Sequence, residues 1–202
     1  MHIHFLVEEQ SSQEALNNLL PKMFNSRVSY SIHPFRGKKD LIKQLPKRLK
    51  AYKAWITNED KIVVLIDEDR ADCQKLKQQL ENIASDSGFL TKSSAGDGAF
   101  QVLNRIAIEE LEAWFFGDIE AIIQAEPKVK KNIVNQAKYR NPDAIKGGTA
   151  EALEKLLKRY GYHKGGLSKI QAAREISHYM NPENNRSTSF QVFYQGLLQM
   201  IQ

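Results

Sequence analysis

The residues with the strongest chemical signature are carboxylates at the ends of apolar runs. Glu8 closes the run 2–7, and Asp67-x-Asp69 closes the run 62–66, IVVLI. A third group, Glu109, Glu110 and Glu112, opens the stretch EELEAW. Hard carboxylates gathered without cysteine suit Mg²⁺ or Mn²⁺, which take oxygen ligands and keep some of their water. Such ions neutralise a phosphodiester and activate a water molecule. Taken singly, each acid reads equally well as a solvated turn residue or a helix cap, because Asp is common in turns. Chemistry requires that they meet.

Their meeting depends on the elements that carry them. The run 2–7 reads as a buried strand and 28–34 alternates like a second one. The continuous apolar run 62–66 suits a central parallel strand covered on both faces, and 100–108 reads as a fourth strand. Between them lie helical patterns. Leu16, Leu19, Leu20 and Met23 fall on one face, as do Leu41, Ile42, Leu45 and Leu49 within 38–52. Asp72 is a good N-cap for a helix whose Cys73, Leu76, Leu80 and Ile83 share a face. Residues 85–98, rich in Ser, Gly and Asp, read as a loop. Leu111, Trp114 and Phe115 begin a helix that Gly117-Asp118 ends and restarts. Beyond residue 125 the patterns 149–160, 168–180 and 189–201 are helical, with no strand among them. The expected architecture is α/β: a mainly parallel sheet flanked by helices over 1–125, with a helical C-terminal region, 126–202, packed on it. In such a sheet ligands gather outside the carboxyl ends of the strands, so Glu8, Asp67 and Asp69 would share a crevice. The i, i+2 spacing would send both aspartates to one side. Glu109 and Glu112 lie at i, i+3 on a helix with Glu110 one position along, so only some of them face the cleft. Glu110 and Glu112 are the favoured pair.

Composition narrows the class. At 202 residues the chain is long enough for a continuous core, and 42% hydrophobic with 26% charged residues excludes disorder. No apolar run approaches a membrane span, and residues 1–9 lack the pattern of a signal peptide, so a cytoplasmic protein is expected. The single Cys73 excludes a disulfide framework and reads as a small buried residue. The net charge of +5 is unevenly spread: Arg36, Lys38, Lys39, Lys43, Lys47, Arg48, Lys50 and Lys53 face Asp40 alone within 36–53. A basic strip beside an acidic cluster suits a metal-dependent enzyme acting on a polyanion; the same lysines also fit the wet face of an amphipathic helix. Trp55 and Trp114 read as core or interface. His2 and His4 share a strand face at the end opposite the acids, with no third ligand nearby. No Walker loop, dinucleotide fingerprint or nucleophile elbow is present.

A Glu closing the first strand with Asp-x-Asp closing a later one resembles the Toprim fold of topoisomerases, primases and OLD-type nucleases. More specifically, four segments resemble the Toprim-like domain-of-unknown-function family 4276: LVEEQSSQEALNNLLPKM (6–23), VVLIDEDRADCQKLK (63–77), NRIAIEELEAWFFGD (104–118) and NNRSTSFQVF (184–193). The resemblance implies a Toprim-like α/β fold in which Glu8 is general acid or base or a metal ligand. Asp67 and Asp69 would hold Mg²⁺ or Mn²⁺, and Glu110 or Glu112 would serve a second metal. Lys164 and Lys169 in HKGGLSK and Arg186 in NNRSTSF could fold back to stabilise charge that develops on a phosphate, and the resemblance lifts Lys164 and Arg186 among them, while Ser189 reads equally as the cap of the last helix. The implied activity is metal-dependent cleavage of DNA or RNA. Relatives resemble accessory proteins encoded beside AAA-type ATPases in bacterial defence loci, so the alternative is a non-catalytic partner of such an ATPase. Toprim proteins often have Gly after the first Glu; here that position is Glu9.

Overall fold

A computed structural model describes residues 1–24, 28–96 and 98–202. Four strands, β1 (His2–Val7), β2 (Ser29–Pro34), β3 (Asp60–Asp67) and β4 (Val102–Ala107), form one sheet in the order β2-β1-β3-β4. Every pairing is parallel, with Val7 opposite both Pro34 and Leu65, and Asp67 opposite Ala107. Parallel strands need crossovers, and α1 (Gln10–Phe24), α2 (Lys38–Lys53) and α3 (Cys73–Asp86) supply them. The near-continuous apolar run in β3 follows from burial on both faces.

Side-chain alternation divides the core in two. Ile3, Phe5 and Val7 of β1 and Val63 and Leu65 of β3 meet α1 and the helices after β4. Leu6, Ile62, Val64 and Ile66 point the other way, onto Leu41, Leu45, Leu49 and Tyr52 of α2 and Leu76 and Leu80 of α3. The first face carries α5 (Glu112–Gly117), α6 (Ile119–Ala125), α7 (Thr149–Arg159), α8 (Lys169–Tyr179) and α9 (Thr188–Met200). Its apolar cluster runs from Ile3 to Met200, joining the C-terminal helices to the sheet.

Asp72 caps α3 as its sequence suggests, accepting from the backbone N–H of Gln74 and Lys75. Asp118 likewise caps α6 through Ala121 N. Several expectations are corrected. Residues 85–98 are not all loop: α3 continues to Asp86, and α4 (Lys92–Ala95) is nucleated by a capping box between Thr91 and Ser94; Asp97 lies outside the described residues. The cap of α9 is Ser187, which accepts from Phe190 N at 3.2 Å. Ser189 instead accepts from Trp114 Nε1 and donates to Asp143. Trp114 is fully buried, but Trp55 is 59% exposed, its ring meeting His4 and Tyr52. Cys73 is half-buried. A third imidazole does join His2 and His4: His33 lies on the neighbouring strand. All three rings come within 3.0 to 3.1 Å of the Ser31 hydroxyl. Burial, then His2 and His33, push His4 down to about 4 against the pull of Asp60.

The segment after α8 fixes α5. Asn185 Nδ2 donates to Trp114 O at 2.8 Å, its Oδ1 accepts from Ser187 N, and Arg186 N donates to Gly117 O at 2.9 Å. Gly117 leaves room for this seam: a Cβ there would collide with Asn185 Oδ1 and crowd Ser187 N at 3.0 Å. Gly117→Ala is therefore expected to destabilise the protein by about 3 kcal/mol, through overpacking and disruption of buried hydrogen bonds. The expected result is a lower urea midpoint at unchanged m-value; an unchanged midpoint would show that the seam relaxes freely.

Candidate metal and phosphodiester site

The carboxyl edge of β1 and β3 gathers the predicted acids, and the backbone explains how. Glu8 follows the last residue of β1, and its Oε2 accepts from Asp67 N at 3.0 Å, so the two strand ends are tied together. Gly37 N donates to Glu8 O at 2.9 Å, which brings the start of α2 to the same edge. Past β3 and β4 the chains stay interlocked: Glu68 N donates to Ala107 O, Asp69 N to Glu109 O, and Glu109 N to Glu68 Oε2. The tight turns place Asp69 at φ +50° and Glu109 at φ +60°, left-handed conformations uncommon for residues other than glycine. Glu109 therefore lies in a turn, not on a helix with Glu112, which opens α5.

Three carboxylates are brought together and buried: Glu8, Asp67 and Glu112 are 8%, 4% and 1% exposed. Burial raises the Asp67 pKa well above the carboxylate range; Glu112 and Glu8 push the same way, while Lys169 and the Leu111 backbone oppose them. Glu112 is pushed up to about 7, by burial first and by Glu110 and Glu9, against Lys169. Burial also raises Glu8, opposed by its hydrogen bond from Asp67 N. One oxygen of Glu112, Oε2, is buried and, among the described residues, accepts no hydrogen bond. A buried acceptor left bare costs about 1–3 kcal/mol, more when charged, so this atom calls for a proton or a cation.

Two lysines answer part of that demand. Lys169 Nζ lies 3.2 Å from Glu110 Oε1 and 3.7 Å from Glu112 Oε1. Glu110 Oε2 accepts from Ala150 N at 2.8 Å and Thr149 Oγ1 at 3.2 Å, at the N-terminus of α7. Burial alone would raise Glu110, but these donors and Lys169 hold it below its ordinary value. Asp69 does not turn to the same side as Asp67. The strand ends at Asp67, so alternation stops there, and Lys38 of α2 takes the Asp69 carboxylate at 2.6 Å. Lys164 is exposed on the loop before α8. Arg186 is also exposed, and its Nη2 reaches Phe116 O at 3.4 Å, at the far end of α5 from Glu112. Neither is brought to the carboxylates.

Of the two lysines in HKGGLSK it is Lys169, not the favoured Lys164, that reaches the carboxylates. It is the first residue of α8, where the helix dipole disfavours a cation. That local conflict is the signal that an acid must lie opposite. Beside the cluster a cleft of about 330 Å³ is lined by Asp69, Glu109, Glu110 and Glu151 with Arg70, Gly147 and Gly148. Four acids against one arginine repel a phosphate unless cations intervene.

Glu8, Asp67 and Glu112 do not present three ligand atoms within 4.8 Å of one another; among the described residues only Glu126, His163 and Glu175 do. The first cluster nevertheless fits a hard, largely hydrated ion. Mg²⁺ usually takes one or two protein carboxylates and keeps several waters, and Glu112 Oε2 is free to accept it.

A parallel α/β sheet with buried carboxylates at the carboxyl edge of its two central strands defines the class of protein. The chain belongs to the family described as Domain of unknown function (DUF4276), whose model matches residues 7–198. No curated protein and no solved structure matches the chain. No helix among the described residues is long and apolar enough to cross a membrane.

Proposed function

We propose that the chain is a Mg²⁺- or Mn²⁺-dependent phosphodiester-processing enzyme acting on nucleic acid, related to the Toprim and OLD-type nucleases and serving in bacterial defence. The observation that carries this reading is the bare, buried Oε2 of Glu112 in a cluster with Asp67 and Glu8. Asp67 and Glu112 would hold the ion. A divalent ion there supplies Lewis acidity toward a phosphate oxygen and lowers the pKa of a nearby water. Glu8, raised by burial and steadied by Asp67 N, is suited to hold or pass a proton at that edge. Lys169 is the ammonium beside the carboxylates, placed to meet a phosphate oxygen. Lys39, Lys43, Lys47 and Lys50 are exposed along α2, which starts at the same edge and spans about 24 Å, enough to follow several phosphates.

Cleavage of single- and double-stranded DNA and RNA with Mn²⁺ tests the reading. Asp67→Asn is expected to lower cleavage at least 10³-fold while the circular dichroism spectrum stays native. Mn²⁺ titration calorimetry should show the Asp67→Asn/Glu112→Gln double variant binding one ion fewer than the wild type. Wild-type cleavage by Asp67→Asn, or equal Mn²⁺ binding by the double variant, overturns the proposal. Replacing Lys39, Lys43, Lys47 and Lys50 with Gln should weaken nucleic-acid binding and flatten its salt dependence, by about 0.9 in log–log slope for each phosphate no longer neutralised.

One observation favours a second reading. Lys38 and Lys169 already neutralise Asp69 and Glu110, so the outer acids need no metal. In that reading the chain is a non-catalytic partner of an AAA-type ATPase, and Mn²⁺ finds no site at this edge.

A further inference from the structure

A separate set of ligands converges beside α8, at residues the carboxylate crevice does not use. Glu126 terminates α6, His163 lies in the connection between α7 and α8, and Glu175 belongs to α8. One ligand atom from each lies within 4.8 Å of the other two. Glu126 is only 5% exposed, yet among the described residues its carboxylate accepts no hydrogen bond; His163 Nε2 lies 3.6 Å from its Oε1. Burial and the Glu175 carboxylate push Glu126 up to about 7, against Lys128. A buried carboxylate aimed at a second carboxylate and an imidazole lacks a cation.

We propose that Glu126, His163 and Glu175 form a binding site for a first-row divalent transition ion, with Zn²⁺ the best fit, that ties α6 and the α7–α8 connection to α8. The donor set decides the metal class. Two carboxylates with one imidazole favour Zn²⁺, Fe²⁺ or Mn²⁺ over Mg²⁺ and Ca²⁺, which prefer oxygen throughout. The Glu8–Asp67–Glu112 cluster has no imidazole, so the two sites sort ions differently. Glu175 Oε1 already accepts from Gln171 Nε2 at 2.9 Å, a contact that orients the carboxylate and leaves its other oxygen for the ion. Ligation through His163 Nε2 places the ring proton on Nδ1. The contact from Ser168 N to Nδ1, long at 3.4 Å, is then given up at the start of α8. Lys169, which serves the carboxylate crevice, follows immediately on Ser168. Glu175 lies six residues along the same helix, about 9 Å by helical rise. The ion therefore acts as a structural tie that fixes the helix carrying Lys169.

Zn²⁺ titration calorimetry on the tag-free full chain, in excess Mg²⁺ to fill the carboxylate crevice, tests the site. Wild type is expected to bind one Zn²⁺, and His163→Asn to bind it at least 10-fold more weakly. Asn suits position 163 because the backbone there has φ +46°, a left-handed conformation that Asn tolerates. Glu175→Gln on half-buried α8 is the second variant, should His163→Asn fail to fold. His33→Asn disrupts the histidine group around Ser31 and should leave Zn²⁺ affinity unchanged. Loss of binding in His33→Asn with retention in His163→Asn overturns the proposal, as does the absence of Zn²⁺ binding in wild type. Asp67→Asn/Glu112→Gln should keep its Zn²⁺ site, so failure here and failure of the phosphodiester reading are separable.

Discussion

Lys169→Met is expected to destabilise the protein by about 2 kcal/mol at pH 8, less than the rupture of a fully buried pair because the Lys169 side chain is 36% exposed and water screens part of the charge. Lys169 is the ammonium that reaches both Glu110 and Glu112. Burial alone would lower the Lys169 pKa, yet Glu112, Glu110 and Glu9 together raise it above its ordinary value. For a lysine with a raised folded pKa, the stability is fully present below the unfolded value of about 10.5. Lys169 therefore stays charged across neutral pH, while Glu112 becomes ionised only as pH rises through about 7, so its pairing with Lys169 is fullest at pH 8. Its removal leaves Glu112 buried beside Asp67 with no counter-charge, and breaking one side of a buried pair costs about 3–5 kcal/mol. Glu110 suffers less, because Ala150 N and Thr149 Oγ1 still hold its other oxygen. Most of the loss should hence run through Glu112, and Lys169→Met/Glu112→Gln should recover at least half of it. Urea unfolding of the four proteins in the cycle measures this coupling directly. A single-variant change below about 0.5 kcal/mol would mean that water, not Lys169, screens the cluster.

Why is Lys169 harder to read than Glu8 or Asp67? The strands of the α/β sheet are visible because β1 and β3 are apolar runs, and an apolar run ending in acids marks a strand and its carboxyl edge together. The helices α2 and α3 are visible through their Leu periodicity, and Asp72 and Asp118 through capping chemistry. Glu112 is legible as one of three neighbouring acids, but only its burial at the start of α5 separates it from Glu109 in a turn and Glu110 on the α7 N-terminus. The divergence of Asp67 and Asp69 is not legible. Period-2 alternation holds only while the strand lasts, and the interlocked turns after β3 and β4 end it at Asp67. Long-range pairs are the least accessible: Lys38 with Asp69, and Glu126 with His163 and Glu175, join elements whose packing no local pattern encodes. The segment NNRSTSF illustrates the converse. Its polar residues suggest phosphate chemistry, and the structure uses them to hold α5 against α9.

The metal-free protein should become less stable as pH rises from 6.5 to 8, and Mn²⁺ should reverse that fall. Glu112 titrates at about 7 when folded and near 4.5 when unfolded. Between those values the folded state holds a proton that the unfolded state has released, so stability falls as pH rises through the window. The expected loss from pH 6.5 to 8 is about 1 kcal/mol for Glu112, and Glu126, also at about 7, adds a similar amount from its separate site. Asp67 acts in the same direction. His4, lowered to about 4, has the opposite sign: the unfolded chain binds its proton below about 6.5, so acid destabilises. Two raised carboxyls outweigh the single His4 between about pH 4.5 and 6.5, so stability in EDTA should peak near about pH 4.5 and fall from there to pH 8. Glu112→Gln should roughly halve the fall from pH 6.5 to 8 and leave the part due to Glu126. Because ligating carboxylates must be ionised, Mn²⁺ gains most where the bare cluster suffers most, and at about 100 times its Kd it adds about 2.7 kcal/mol. Thermal melting at pH 8 with Mn²⁺ should thus restore wild type, while Asp67→Asn/Glu112→Gln retains only the response owed to the Glu126 site. A wild-type melt indifferent to Mn²⁺, with the alkaline fall intact, would make the carboxylates a proton-holding cluster steadied by Lys169 alone.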